Sequence, residues 1–128
     1  MNRRDKLDME QLIQYLKSEA NTWSGASVHY REDWDCDYFG IEGKCFCMLG
    51  KNKTGDWVMT VKGDPEQNEQ LREQYTDVLP GYYANKTHWN SFLLENTSFK
   101  KEQLALFLKN SYELVLGKLP KKVQEKYK

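Results

Sequence analysis

The densest group of chemically capable side chains is Lys86-Thr87-His88-Trp89-Asn90. An ammonium and an imidazole beside an indole suit contact with a nucleic acid, because lysine holds a phosphate and an aromatic ring stacks on a base. For Trp89 a buried role, anchoring its strand, is the simpler expectation. Cys45-x-Cys47 places two thiols on one strand, and with Cys36 and His29 or His88 they resemble a metal set. A structural zinc knuckle usually pairs with a second one, which this sequence lacks. The cysteines are therefore expected to pack as small apolar residues, with no metal. A Cys–His nucleophile needs a base in hydrogen-bond reach and an activated thiolate, which spacing alone does not place. Arg31 is followed by Glu32, Asp33, Asp35 and Asp37. Clustered carboxylates can hold a hard cation, but these lack the calcium-loop spacing and its glycine. A solvated acidic loop is expected, one that repels a phosphate backbone. Glycine-rich phosphate loops, HExxH patterns and nucleophile elbows are absent from the sequence, and no catalytic residue is assigned.

The lysines offer more. Lys118 to Lys128 hold five lysines against one glutamate, a local charge of +4. Together with Lys86, Lys100, Lys101 and Lys109 they could form a phosphate-facing stripe. Such a stripe positions a backbone without reading bases, so binding would be weak, salt-sensitive and unspecific. Strand parity adds a second group. Cys45, Cys47 and Leu49 beside Trp57, Met59 and Val61 form a wholly apolar set, expected to face the core. Lys44, Phe46 and Met48 beside Val58, Thr60 and Lys62 form the other set. Lys44, Thr60, Lys62, His88 and Asn90 are then expected to mark an open, semi-polar sheet face. The competing expectations are a solvated outer face and a frayed tail, neither with a ligand. The nucleic-acid-binding candidates are Lys44, Lys62, Lys86, His88, Asn90, Lys121 and Lys122.

These residues must be positioned by a chain of 128 residues and 15.2 kDa, with 19 Lys+Arg balanced by 19 Asp+Glu. That length predicts one domain, 1–128, whose last eleven residues are basic and expected to fray. Zero formal charge removes any global basic excess, so a nucleic-acid surface has to be a patch. Mean hydropathy is −0.85. Leu, Ile, Val and Phe make up roughly a fifth of the chain, just above the level that signals disorder. Four Trp and eight Tyr add a large burial payload, so the chain is expected to fold. An odd number of cysteines, three, suits reduced thiols. With no apolar leader after Met1 and no long apolar run, cytoplasm is the expected compartment.

Met9, Leu12, Ile13, Leu16 and Ala20 fall at helical spacing, predicting a helix over 5–20. Short β-rich runs meeting at Glu42-Gly43, a loop over 51–56, and Trp57 to Lys62 predict a three-stranded meander. Asp64-Pro65-Glu66-Gln67 starts a helix whose face carries Leu71, Tyr75 and Val78, ended by Pro80-Gly81. Tyr82 to Ala84 is expected to be a short extended segment, and Tyr82 and Tyr83 interface residues or a packed corner. Thr87 to Leu94 reads as a strand. Thr97-Ser98 caps a helix over 100–118, with a break expected near Asn110-Ser111. The order α-β-β-β-α-(β)-β-α predicts an α+β fold: one antiparallel sheet of about five strands with helices packed on one face.

Four ordered blocks resemble the MmcQ/YjbR family. Gly43-Lys44-Cys45-Phe46-Cys47 resembles its GGKMFA strand, and Lys62-Gly63-Asp64-Pro65-Glu66 its lysine strand end followed by a Pro-Glu helix. Residues 80–90 resemble its PGYHMNKKHWN signature. Ser111-Tyr112 with Leu119-Pro120-Lys121-Lys122 resembles its SY…LPKK ending. The match spans 43–122. It departs from the pattern at Cys45 and Cys47, where Met and Ala are usual, and the residues before Tyr38 match nothing distinctive. The resemblance implies a small α+β fold laid out like bacterial secretion chaperones, a DNA-binding role on a double-wing surface, and no established catalytic activity. A small non-catalytic protein binding DNA through a basic patch is therefore the expected function. A protein-interaction or chaperone-like adaptor is the alternative, and an uncharacterised enzyme comes third. DNA or another protein is the expected partner, with no cofactor and no membrane.

Overall fold

The structure, a computed structural model, describes residues 3–81 and 84–127. Helix α1 (Arg3–Asn21) leads into four strands, β1 (Ala26–Arg31), β2 (Cys36–Ile41), β3 (Lys44–Lys51) and β4 (Trp57–Lys62). Helix α2 (Pro65–Gln74) follows, then β5 (Val78–Pro80), β6 (Trp89–Leu93), α3 (Lys101–Gly117) and α4 (Lys121–Glu125). The strands form one antiparallel sheet in the order β1-β2-β3-β4-β6-β5. No helix among the described residues is long and apolar enough to cross a membrane.

The predicted α+β architecture holds, and the meander lies where the β-rich runs placed it. Glu42 and Gly43 both have positive φ, at 51° and 75°, which is what a two-residue turn matched to strand twist requires. Asp64 caps α2 by accepting from the Gln67 N–H at 3.2 Å. Several expectations are corrected. The sheet has six strands, because Ala26 to Arg31 pairs along its whole length with Cys36 to Ile41. Val78 belongs to β5, paired with Phe92, since α2 already ends at Gln74. Thr97 and Ser98 do not cap α3. They hold Asp77, while the Gln103 side chain accepts from the Lys100 N–H at 2.8 Å. α3 runs unbroken through Asn110-Ser111. Tyr82 and Tyr83 lie outside the described residues.

The core lies between the helices and one sheet face. α1 contributes Ile13, Leu16 and Ala20, and α3 contributes Leu104, Leu108, Tyr112 and Val115. The sheet answers with Phe39, Ile41, Cys47, Leu49, Met59, Val61 and Phe92. Trp23, Phe46 and Tyr112 form one aromatic group beneath α3, and Phe92, Phe99 and Phe107 another. The basic end of the chain is seated rather than loose among its described residues. Val123 and Tyr127 pack on the core, and Tyr127 donates to Glu42. Its ring fills the space beside Gly25, where any Cβ would collide with it.

One parity expectation fails for a local reason. Phe39 pairs with Cys47 but Gly40 pairs with Cys45, so Phe46 is the extra residue of a β-bulge. The bulge turns Phe46 into the core and Cys45 to the far face. There burial pushes the Cys45 thiol up to about 11. Cys47, fully buried in the core, is also raised by desolvation. Both shifts disfavour the thiolate that nucleophilic chemistry needs.

Asp77, which precedes β5, closes the loop into α3. Its carboxylate accepts from the Ser98 N–H at 2.8 Å and the Ser98 hydroxyl at 2.9 Å. Burial opposes its charge, but the bonds from Ser98 prevail and hold it below the usual value of 3.8. A depressed folded value means stability that is complete above the unfolded pKa and lost as pH falls through the folded one. Asp77→Asn is expected to cost about 1–2 kcal/mol at neutral pH. In urea midpoints taken from pH 7 to pH 3, the gap from the parent should be constant until pH drops below about 4. A gap independent of pH down to 3 would mean that the carboxylate charge is not what binds this loop.

Candidate nucleic-acid interface

The strand register decides where the candidate residues meet. Ile41 pairs with Lys44, and Lys62 pairs with Trp89. Lys44, at the start of β3, and Lys62, at the end of β4, therefore stand at the same end of the sheet. They stand on opposite parities, however, because Lys44 is opposite core-facing Ile41 whereas Lys62 follows core-facing Val61. The expectation of one shared open face is corrected: what unites these lysines is the sheet's end.

A single serine shapes that end. Beyond the bulge, β3 and β4 no longer bond directly. Ser111 of α3 inserts its hydroxyl between them, accepting from the Lys62 N–H at 2.8 Å and donating to the Phe46 carbonyl. About two turns further on, Lys118 ends α3 with its side chain beside that of Lys62. Burial, and then the Lys118 charge, lower the Lys62 pKa. Among the described residues no carboxylate pairs with either ammonium. The partial negative charge of the α3 C-terminus favours cations there.

The segment 85–88 is fixed to this same end by α2. Asn68 donates to the Gly63 and Thr87 carbonyls, and Arg72 donates to the Lys86 carbonyl at 3.2 Å and to Asn90 Oδ1 at 2.6 Å. The Asn85 carboxamide accepts from the N–H groups of Thr87 and His88. Lys86 is exposed and His88 half-buried, with the His88 carbonyl bonded to Gly63. Lys121 and Lys122 are exposed on α4, and Lys126 pairs with Glu42 at 3.7 Å. That pairing puts α4 at the β2–β3 turn, next to Lys44.

Two candidates are not available to a ligand. Asn90 is 1% exposed, pairs with Val61 on the helix side, and spends its amide on Arg72 and the Asn68 carbonyl. Thr60 is equally buried, its hydroxyl 2.7 Å from that of Ser91. Trp89 is half-buried on the far face, not in the core as expected. Sequence reasoning missed Ser111, Arg72 and Asn68 as positioning residues. It included Lys118 in the tail without singling it out.

The acidic loop lies at the other end. β1 and β2 join through Glu32 to Asp35, which register places beside the end of β3 at Gly50. Arg31 grips Asp33 with two bonds and lies 3.8 Å over the Trp34 ring, and Tyr30 donates to Asp35. This loop closes onto β3 because Gly50 has no side chain. A Cβ there would sit 2.9 Å from Cys36 Cβ and 3.0 Å from the Asp35 carbonyl oxygen. Gly50→Ala is expected to push the loop off and cost about 1–3 kcal/mol. Thermal unfolding checks the cost, and an unchanged midpoint would show that the loop yields freely.

A protein-family model described as YjbR matches residues 23–114. An uncharacterised Escherichia coli K12 protein, YjbR, is 28% identical over 114 residues, covering 89% of this chain and 92% of the relative. The uncharacterised protein YbdF of Escherichia coli O157:H7 is 31% identical over 90 residues, covering 70% and 72%. Among solved structures, Deinococcus radiodurans protein DR2400, of domain family DUF419, superposes with a TM-score of 0.79 at 24% identity. It covers 90% of this chain and 86% of its own. A Pseudomonas syringae protein superposes with a TM-score of 0.63 at 24% identity, covering 89% and 98%.

Proposed function

The chain belongs to the YjbR family, and from that premise we propose that it is a small non-catalytic binding protein whose lysine-bearing sheet end holds the phosphate backbone of DNA. The observation that carries this reading is the adjacency of Lys62 and Lys118, two ammoniums side by side without a carboxylate partner among the described residues. Like charges brought together cost free energy, and a phosphate placed between them removes that cost. Lys44, Lys86, Lys121 and Lys122 extend the same end of the molecule and supply further phosphate contacts. Two acids at this end are engaged, Glu42 by Lys126 and Tyr127 and Asp64 by the first turn of α2. Lysine holds a backbone as a point charge and reads no base edge, so binding is weak and indifferent to sequence.

The test is fluorescence anisotropy of a labelled duplex at ~50 mM salt, where unspecific contacts are strongest. The parent, Lys62→Glu with Lys118→Glu, and an acidic-end control, Lys51→Glu, are compared. Loss of binding in the double variant but not in the control supports the site. Equal binding by all three, or no binding by the parent, removes it.

A further inference from the structure

The far face of the sheet, away from the helices, carries a pocket of about 600 Å³. Its position is set by the acidic hairpin loop: Asp33, Trp34 and Asp35 form one wall, and Met48, Val58 and Thr60 line it from β3 and β4. Cys36 and Gly50 close the angle between them. This is within the range of small-ligand sites, which combine an apolar lining with a few polar groups. Here the lining is apolar in Met48, Val58 and Trp34, and the Thr60 hydroxyl is already spent on Ser91. Trp34 is 53% exposed, an unusual state for an indole in a folded chain.

The charges around the pocket, Asp33 and Asp35 against Arg31 and Lys51, are paired unevenly. Both oxygens of Asp33 are taken by Arg31. Asp35 accepts from Tyr30 through Oδ1 only, leaving Oδ2 without a protein partner among the described residues. Lys51 belongs to the lining, but its ammonium lies 5.4 Å from the Trp57 ring, and Trp57 packs on the opposite, core side. Among the described residues no ammonium pairs with Asp35. The Cys36 thiol registers the resulting field: burial, and then Asp37, raise its pKa, with Asp33 and Asp35 adding to them against Arg31.

We infer that this pocket binds a small organic cation with a flat apolar body, an arylalkylammonium, its ring against Trp34, Met48 and Val58 and its ammonium at Asp35. The indole, which has Arg31 over one side 3.8 Å from the ring centroid, offers its remaining exposed surface to the ring system. Asp35 supplies a charge-assisted bond that a neutral ligand does not form and an anionic one is repelled by. The site is independent of the DNA reading, since it lies at the opposite end of the strands and on carboxylates rather than lysines.

The test titrates the ¹⁵N-labelled protein with tryptamine, indole and indole-3-acetate and follows the amide resonances. Tryptamine is expected to shift Trp34, Asp35, Met48, Gly50 and Val58, and to bind about tenfold more tightly than indole. Indole-3-acetate is expected to bind more weakly than both. Asp35→Asn keeps the turn, because Asn tolerates the positive φ of 47° at this position. In that variant the preference for tryptamine over indole should vanish while indole binds as before. Trp34→Ala should weaken both ligands about five- to tenfold. Shifts confined to other surfaces, or indole-3-acetate binding as tightly as tryptamine, would overturn the inference. So would a charge preference that survives Asp35→Asn.

Discussion

Replacing Ser111 with alanine is expected to lower the unfolding free energy by about 2–4 kcal/mol. The reason is that one hydroxyl serves two backbone groups at once, one buried and one part-buried. It accepts from the Lys62 N–H and donates to the Phe46 carbonyl, where β3 and β4 have parted. Each orphaned group costs about 1–3 kcal/mol, and Ser111 itself is 0% exposed, so solvent does not replace the bond. Deleting only an oxygen leaves little void, which separates this cost from that of a cavity. Ser111→Val should be worse than alanine, because it leaves both groups orphaned and crowds them. Urea denaturation with a constant slope measures the change. An alanine variant within about 0.5 kcal/mol of the parent would mean that the strands re-pair without the serine.

The second large effect is on affinity. If Lys44, Lys62, Lys118 and Lys121 each neutralise one phosphate, duplex affinity should fall with salt at a log–log slope of roughly −3.6. Between 50 and 200 mM salt that slope removes a factor on the order of 10². Each lysine reversed to glutamate should flatten the slope by about one or more, weakening binding alike for all sequences. Lys62→Glu is expected to act beyond its own contact, since it pairs with Lys118 and removes that ammonium as well. A salt-independent affinity would rule out the phosphate contacts, however tight the binding. A slope unchanged in Lys62→Glu and Lys118→Glu would place the contacts elsewhere.

Much of the fold was legible because its signals are local. The Glu42-Gly43 turn, the β-formers of 57–62 and the Asp64-Pro65 helix start each determine their own geometry within a few residues. Strand β1 escaped notice because it lies at the sheet edge. Ala-Ser-Val-His-Tyr-Arg alternates only weakly, since its outer side faces water. The Phe46 bulge escaped because period-two arithmetic assumes an unbroken ladder, and the serine that accommodates it lies 65 residues away. Thr97 and Ser98 carry the right hydroxyls for a cap, but Asp77 competes for them from across the fold. At the candidate site, Lys44, Lys62, Lys86, Lys121 and Lys122 were legible as charges and do stand toward one end. Asn90 looked like a surface amide and is buried, because Arg72 and the Asn68 carbonyl satisfy it. That satisfaction is a tertiary fact with no periodicity to announce it.

The acidic loop of 32–35 at one end of the strands, and Lys44, Lys62 and Lys118 at the other, give a molecule of zero formal charge a moment along the strands. In a uniform field such a molecule turns without travelling. Near a polyanion the field is not uniform, and the same moment both orients the molecule and draws it inward. Encounter then begins with the lysine end leading, before any contact is made. Neutrality in this chain is thus a matter of sums, and what a charged partner meets is a direction.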